Sequence, residues 1–139
     1  MSNTTPSSSV ASIAVVVQLT PADCGLACVA MLTGRPYKDV FQGAQASAKR
    51  ARKHGTNEKE LRRLAKGVGV KLRKRRDVNI EEDTGILWLG SENESVDDHA
   101  CVLFNGTLID PADGLLWDPD IFLKTYPFYR VEAIFELAS

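Results

Sequence analysis

The apolar pattern changes partway along the chain. Up to about Gly67 apolar residues recur every three or four positions, and from Val68 onward they alternate with polar ones. These periods belong to amphipathic helices and half-buried strands. Ile13 to Val17 is rich in β-branched residues and predicts a short strand or extended segment that delivers Gln18. Pro21 breaks that run. Asp23 is placed to cap a helix from about Cys24 to Thr33, with Gly34 as its stop. Within it Cys24, Ala27, Cys28 and Met31 share one face. A second helix is expected over Tyr37 to Lys53, ending near His54-Gly55. A third, capped by Thr56 or Asn57, carries Glu60, Leu61, Leu64 and Ala65 to about Gly67. Strands are expected over Val68–Arg76, Gly85–Leu89, His99–Phe104, Thr107–Asp110, Leu115–Trp117 and Tyr129–Leu137. Asn105-Gly106 is the strongest hairpin signal, and Pro111 to Gly114 forms a second turn. A short helix from about Pro119 to Lys124 separates the last two strands. Helices first and an antiparallel sheet afterward imply an α+β domain in two layers.

Length limits this plan to one domain. Of the 139 residues, Met1 to Ser9 is rich in Ser, Thr and Asn. Residues 1–12 therefore read as a disordered N-terminal segment, and 13–139 as the domain. A net charge of −1 gives no global pull toward nucleic acid or an anionic membrane. The middle is locally basic, from Lys49 to Arg76, and Glu92 to Asp98 is acidic. Aromatic residues are not interleaved with the cations, so solvated faces are expected and no nucleic-acid partner. The apolar run Ile13–Val17 is too short to span a membrane and lacks the flanks of a secretory signal. The expectation is a cytoplasmic chain without membrane insertion. Three widely spaced cysteines do not make a disulfide framework, which suits a reducing compartment.

The candidate chemistry lies in Gln18, Cys24, His99 and Asp110. Gln18 stands six residues before Cys24, in the run Gln18-Leu-Thr-Pro-Ala-Asp-Cys24-Gly-Leu-Ala-Cys28. A thiol is a weak nucleophile until it ionises. The first turn of a helix favours that negative charge, and so does an imidazolium partner. The hairpin turn at Asn105-Gly106 makes the strands of His99 and Asp110 neighbours, with both residues toward the ends away from the turn. Asp110 is then placed to fix the tautomer of His99. Gln18 and the Cys24 N–H are candidate donors to an oxyanion. Plainer readings stand beside these. Cys28 and Cys101 read as small buried hydrophobes, His99 as a structural histidine, Asp110 as a turn former and Gln18 as a strand-end residue. His54 reads as a helix C-terminal or solvated residue. Trp88 and Trp117 read as core residues before cleft walls. Cys24, Cys28, His99 and Cys101 make a zinc set only by loose spacing, without the tight knuckle of common zinc motifs. No cofactor is expected.

These residues resemble the papain-like cysteine peptidases that remove double-glycine leader peptides from bacteriocin precursors. Gln18, Asp23, Cys24, Gly25, Ala27, Ala30 and Met31 match that family's first motif. His99, Val102, Leu103, Asp110, Pro111 and Gly114 match its second. Gly55-Thr56 and Leu61, Ala65 and Gly69 resemble the helix between them, so the likeness runs from about Val15 to Leu137. It implies a papain-like fold, helices packed on an antiparallel sheet. Cys24 becomes the nucleophile, His99 the general base and acid, Asp110 the orienting residue and Gln18 the oxyanion donor. A peptide or protein substrate is implied, cleaved after small residues such as Gly-Gly, and so is association with a transporter or a precursor peptide. The chain departs from the pattern at Ala100 and Cys101 after the histidine, and in the acidic stretch Ser91 to Asp98. Two rival activities use the same residues: an amidase, deamidase or acyltransferase, and a peptide-binding module without turnover.

Overall fold

A computed structural model describes residues 13–138. The segment expected to be disordered, residues 1–12, lies outside them. Among the described residues there are five helices and one antiparallel sheet of six strands, an α+β arrangement. In chain order the elements are α1 (Cys24–Thr33), α2 (Tyr37–Gly43), α3 (Gln45–His54), α4 (Glu58–Lys66), β1 (Leu72–Arg75), β2 (Thr84–Ser91), β3 (His99–Phe104), β4 (Thr107–Ile109), β5 (Leu116–Trp117), α5 (Pro119–Thr125) and β6 (Tyr129–Leu137). In space the strands run β1-β6-β2-β3-β4-β5.

α1 is the central helix. Gly25 to Met31 are all buried, so it is enclosed all round rather than on the one face that Cys24, Ala27, Cys28 and Met31 define. Gly34, at φ 71°, ends it. The expected second helix is two, α2 and α3, broken at Ala44 with φ −149° and ψ 62°. The cause is close backbone packing. A Cβ on Gly43 would lie 2.5 Å from the Gly67 carbonyl oxygen, so the chain turns there to let α2 meet the end of α4. Asn57 caps α4, its Oδ1 accepting the Glu60 N–H at 2.8 Å. The strand expected from Val68 begins at Leu72 instead, because Val68 and Gly69 donate back to Ala65 and Lys66 and prolong the end of α4 as a turn.

Asn105 and Gly106 turn the β3–β4 hairpin with φ 46° and 89°, the left-handed pair that a two-residue hairpin requires. The register sets Val102 opposite Ile109. Alternation sends Ala100, Val102, Ile109, Ala133 and Phe135 into the core shared with α1 to α4. It sends Leu87, Leu89, Cys101, Leu103, Leu108 and Ile134 to the other face, where Phe122 of α5, Trp117 and the loop residues Val78 and Ile80 cover them. The sheet is therefore covered on both faces, and the expected two layers become three. Apolar residues at both parities of β2 and β3 demand that second cover. Ile13 to Val17 forms no strand: Ile13 lies in a bend and the rest in irregular chain.

The basic middle is a set of surface ion pairs, among them Arg50 with Glu60, Lys74 with Glu58, Arg73 with Glu136 and Arg75 with Asp83. No helix among the described residues is long and apolar enough to cross a membrane.

Candidate active site

Cys24 opens α1, and the loop before it sets its place. Asp23 is fully buried and turns its carboxylate back into that loop. There the Leu19 and Thr20 N–H groups donate to it at 3.1 and 3.0 Å, and the Tyr37 hydroxyl also donates. The expected cap is not made: the Asp23 side chain accepts nothing from α1. Loop amides and a phenol outcompete the helix for it. Arg52 donates to the Tyr37 oxygen at 3.1 Å and stacks its guanidinium over Phe41 at 4.1 Å. Burial, then the bond to Asp23, pushes the Tyr37 phenol up to about 12, so it remains a donor at neutral pH. Gly25 follows the thiol with Thr56 pressed against it. A Cβ there would sit 2.8 Å from Thr56 Oγ1 and 2.9 Å from its Cβ.

His99 is the first residue of β3, and Asp110 follows β4. Continuing the register one step past Val102 and Ile109 sets Asp110 beside Cys101, with His99 one alternation further on the same face. The His99 Nε2 lies 2.8 Å from Asp110 Oδ1, which also accepts the Ala112 N–H at 3.0 Å. The turn is closed by the Gly114 N–H, donating to the Asp110 carbonyl at 2.7 Å. With Nε2 committed to the carboxylate, Nδ1 is the nitrogen left for other chemistry. The ring stacks on Tyr129, centroids 5.8 Å apart and planes 19° apart. Burial, the largest single influence, opposes charge on the ring. The hydrogen bond to Asp110 outweighs it, with the neighbouring thiols of Cys101 and Cys24 adding in the same direction, and the pKa of His99 rises far above that of an ordinary imidazole.

Cys24 and His99 line one cavity of about 930 Å³, together with Thr56, Trp88, Asp98 and Tyr129. Cys24 is partly exposed, whereas Cys28 and Cys101 are buried. Burial raises the Cys28 thiol well above the usual range, and the like charges of Cys101, Cys24 and Asp110 add to this. Burial takes Cys101 up to about 11, opposed by His99.

Gln18 is brought near this assembly by its backbone. Its N–H donates to the Pro111 carbonyl at 2.8 Å, tying the segment before α1 to the turn after Asp110. Its side chain is otherwise engaged: Nε2 donates to the Thr20 carbonyl at 2.8 Å, and Oε1 is buried without a partner. Gln18 is not part of the cavity lining. No protein-family model matches the chain, and no curated protein matches it.

Tyr129 and Thr56 are site residues that the sequence reading missed. Nothing marks Tyr129 but its place at the start of a strand, and only the insertion of β6 beside β2 brings it over His99. Of the two tryptophans, Trp88 reaches the cavity while its ring meets Phe135 edge-on at 6.2 Å. Trp117 packs with Phe122 and Tyr126 instead. His54, the exposed last residue of α3, lies at the cavity rim. Of the four residues weighed as a zinc set, only His99 and Cys101 belong to a cluster of ligand atoms, and the third member is Asp110.

Proposed function

We propose that this protein is a papain-like cysteine peptidase that cleaves a peptide bond through an acyl-enzyme on Cys24. The observation that carries the reading is the imidazole of His99, held at one nitrogen by Asp110 and facing the same cavity as the Cys24 thiol. In this reading His99 takes the thiol proton, and the sulfur attacks the scissile carbonyl carbon. The oxyanion forms in the first turn of α1, whose amides Asp23 does not claim. His99 returns the proton to the leaving amine, the C–N bond breaks and a thioester remains. Water then adds with His99 as base, and Cys24 leaves as the free thiol.

Gln18 is the second oxyanion donor in this scheme. An amide NH₂ carries two hydrogens, and the Thr20 carbonyl takes one. Its second hydrogen is the one left for the oxyanion in this reading. Cleavage after Gly-Gly follows the sequence resemblance. It is supported by the small residues Ala22, Gly25 and Ala100 in the cavity lining.

The test pairs a thiol-directed electrophile with a peptide assay. Cys24 should be modified faster than a free cysteine at mildly acidic pH, and this advantage should vanish in His99→Ala. A peptide with an internal Gly-Gly should be cut after the second glycine by the wild type and not by Cys24→Ala, with the products read by mass spectrometry. Modification of Cys24 no faster than a free thiol, together with an uncut peptide, overturns the reading.

A further inference from the structure

The peptidase scheme leaves Cys101 without a role, although its thiol lies in the same group as His99 and Asp110. The Cys101 sulfur, a ring nitrogen of His99 and an Asp110 oxygen all lie within 4.8 Å of one another. We propose that Cys101, His99 and Asp110 form a binding site for a borderline-soft divalent cation, Zn²⁺ above all, and that its occupancy withdraws His99 from Cys24.

The geometry needs little adjustment. Zinc takes thiolate at about 2.3 Å and imidazole or carboxylate at about 2.0–2.2 Å, so tetrahedral ligand atoms sit roughly 3.3–3.8 Å from one another. The His99–Asp110 edge, at 2.8 Å, opens by about half an ångström, and the sulfur, within 4.8 Å of both, closes by at most about 1.5 Å. Backbone register already supplies the arrangement. Cys101 and His99 are two residues apart on one face of β3, and Asp110 lies on the adjoining strand end. A thiolate, an imidazole and a carboxylate together suit zinc, whereas calcium and magnesium want oxygen alone. Of the three, His99 lines the cavity, and the cavity is the way in for the ion.

Binding is a simple exchange. Starting from the imidazolium, the Cys101 S–H and His99 Nε2–H protons pass to solvent, the metal takes the freed sulfur and Nε2 lone pairs and an Asp110 oxygen, and Nδ1 keeps its hydrogen. The orienting carboxylate is then spent on the metal, and the ring can no longer accept the proton of Cys24 while the ion is held. An N, S, O set in a buried pocket thus couples a soft cation to the state of the cavity. This inference does not depend on the substrate or on turnover.

Cobalt(II) and a single-thiol variant provide the test. The chain has three cysteines, so Cys24→Ala with Cys28→Ala leaves Cys101 alone. Titrated with Co²⁺, that variant should develop a thiolate-to-cobalt charge-transfer band, and Zn²⁺ should bleach it. Zinc affinity, measured by competition with a chromophoric chelator, should be unchanged in Cys24→Ala. It should fall in Cys101→Ala by more than the roughly 10–100-fold typical of losing an outer-shell partner. Should Cys101→Ala fail to fold, Cys101→Ser and Asp110→Ala provide the same comparison. A single-thiol variant without the band, or zinc affinity unmoved by Cys101→Ala, overturns the proposal. Either outcome leaves the reading of Cys24 standing, because the electrophile test needs no metal.

Discussion

Asp110 does two jobs through one oxygen, and a substitution separates them. Its Oδ1 accepts from both His99 Nε2 and the Ala112 N–H. Asparagine retains an acceptor there, so Asp110→Asn should keep the ring oriented and lose only the charge. We expect Asp110→Asn to lower peptide turnover by about tenfold and Asp110→Ala by about 10²-fold or more, with kcat rather than KM falling in both. Equal losses in the two variants would show that charge, not orientation, is what matters. The same pair affects stability. The pKa of His99 is raised on folding, so the charged ring stabilises the fold fully below about 6.5, the unfolded value. That contribution declines as pH climbs from there toward the folded value. The advantage in urea midpoint of the wild type over His99→Gln should therefore shrink between about pH 6 and about pH 9. An advantage that grows with pH would contradict this.

At the scale of elements, two local features have measurable weight. Asn57→Ala removes the only side-chain bond capping α4 and should lower stability by about 1 kcal/mol, read as a shift in denaturant midpoint at constant m. Gly25→Ala drives a methyl into Thr56 and should lower stability by about 1–3 kcal/mol. Thr56→Gly should recover part of that loss, a coupling that a double-mutant cycle detects. These elements also show what the sequence discloses. α1 and the β3–β4 hairpin are legible because their signals are local: Gly34 stops one, and Asn105-Gly106 turns the other. The juxtaposition of His99 and Asp110 follows from that hairpin. The break at Ala44 is not legible, since it answers to Gly67, far along the chain. Asp23 shows the same limit. A carboxylate before a helix reads as a cap until the tertiary fold brings Tyr37 to it.

Across the whole molecule, the three thiols differ in access. Cys28 and Cys101 are wholly buried, and burial pushes both thiols up. In native protein a colourless-to-coloured disulfide reagent should count one fast thiol, Cys24, and denaturant should release the other two. Fast reaction of a second thiol in native protein would show that the core opens locally. The α+β architecture was legible from the change of period, whereas the cover on the second face and the reach of Tyr129 depend on strand order. That order bears on how the chain is made. β6 lies between β1 and β2 although it follows every other strand in the chain. A ribosome therefore delivers Cys24 long before it delivers Tyr129, the ring against which His99 rests. Until that strand emerges and slides between its neighbours, β1 has no partner in the sheet and His99 lacks its stacking support. Under the proposed function, a half-translated chain therefore holds a sulfur with no machinery around it, and cleavage waits for the finished sheet.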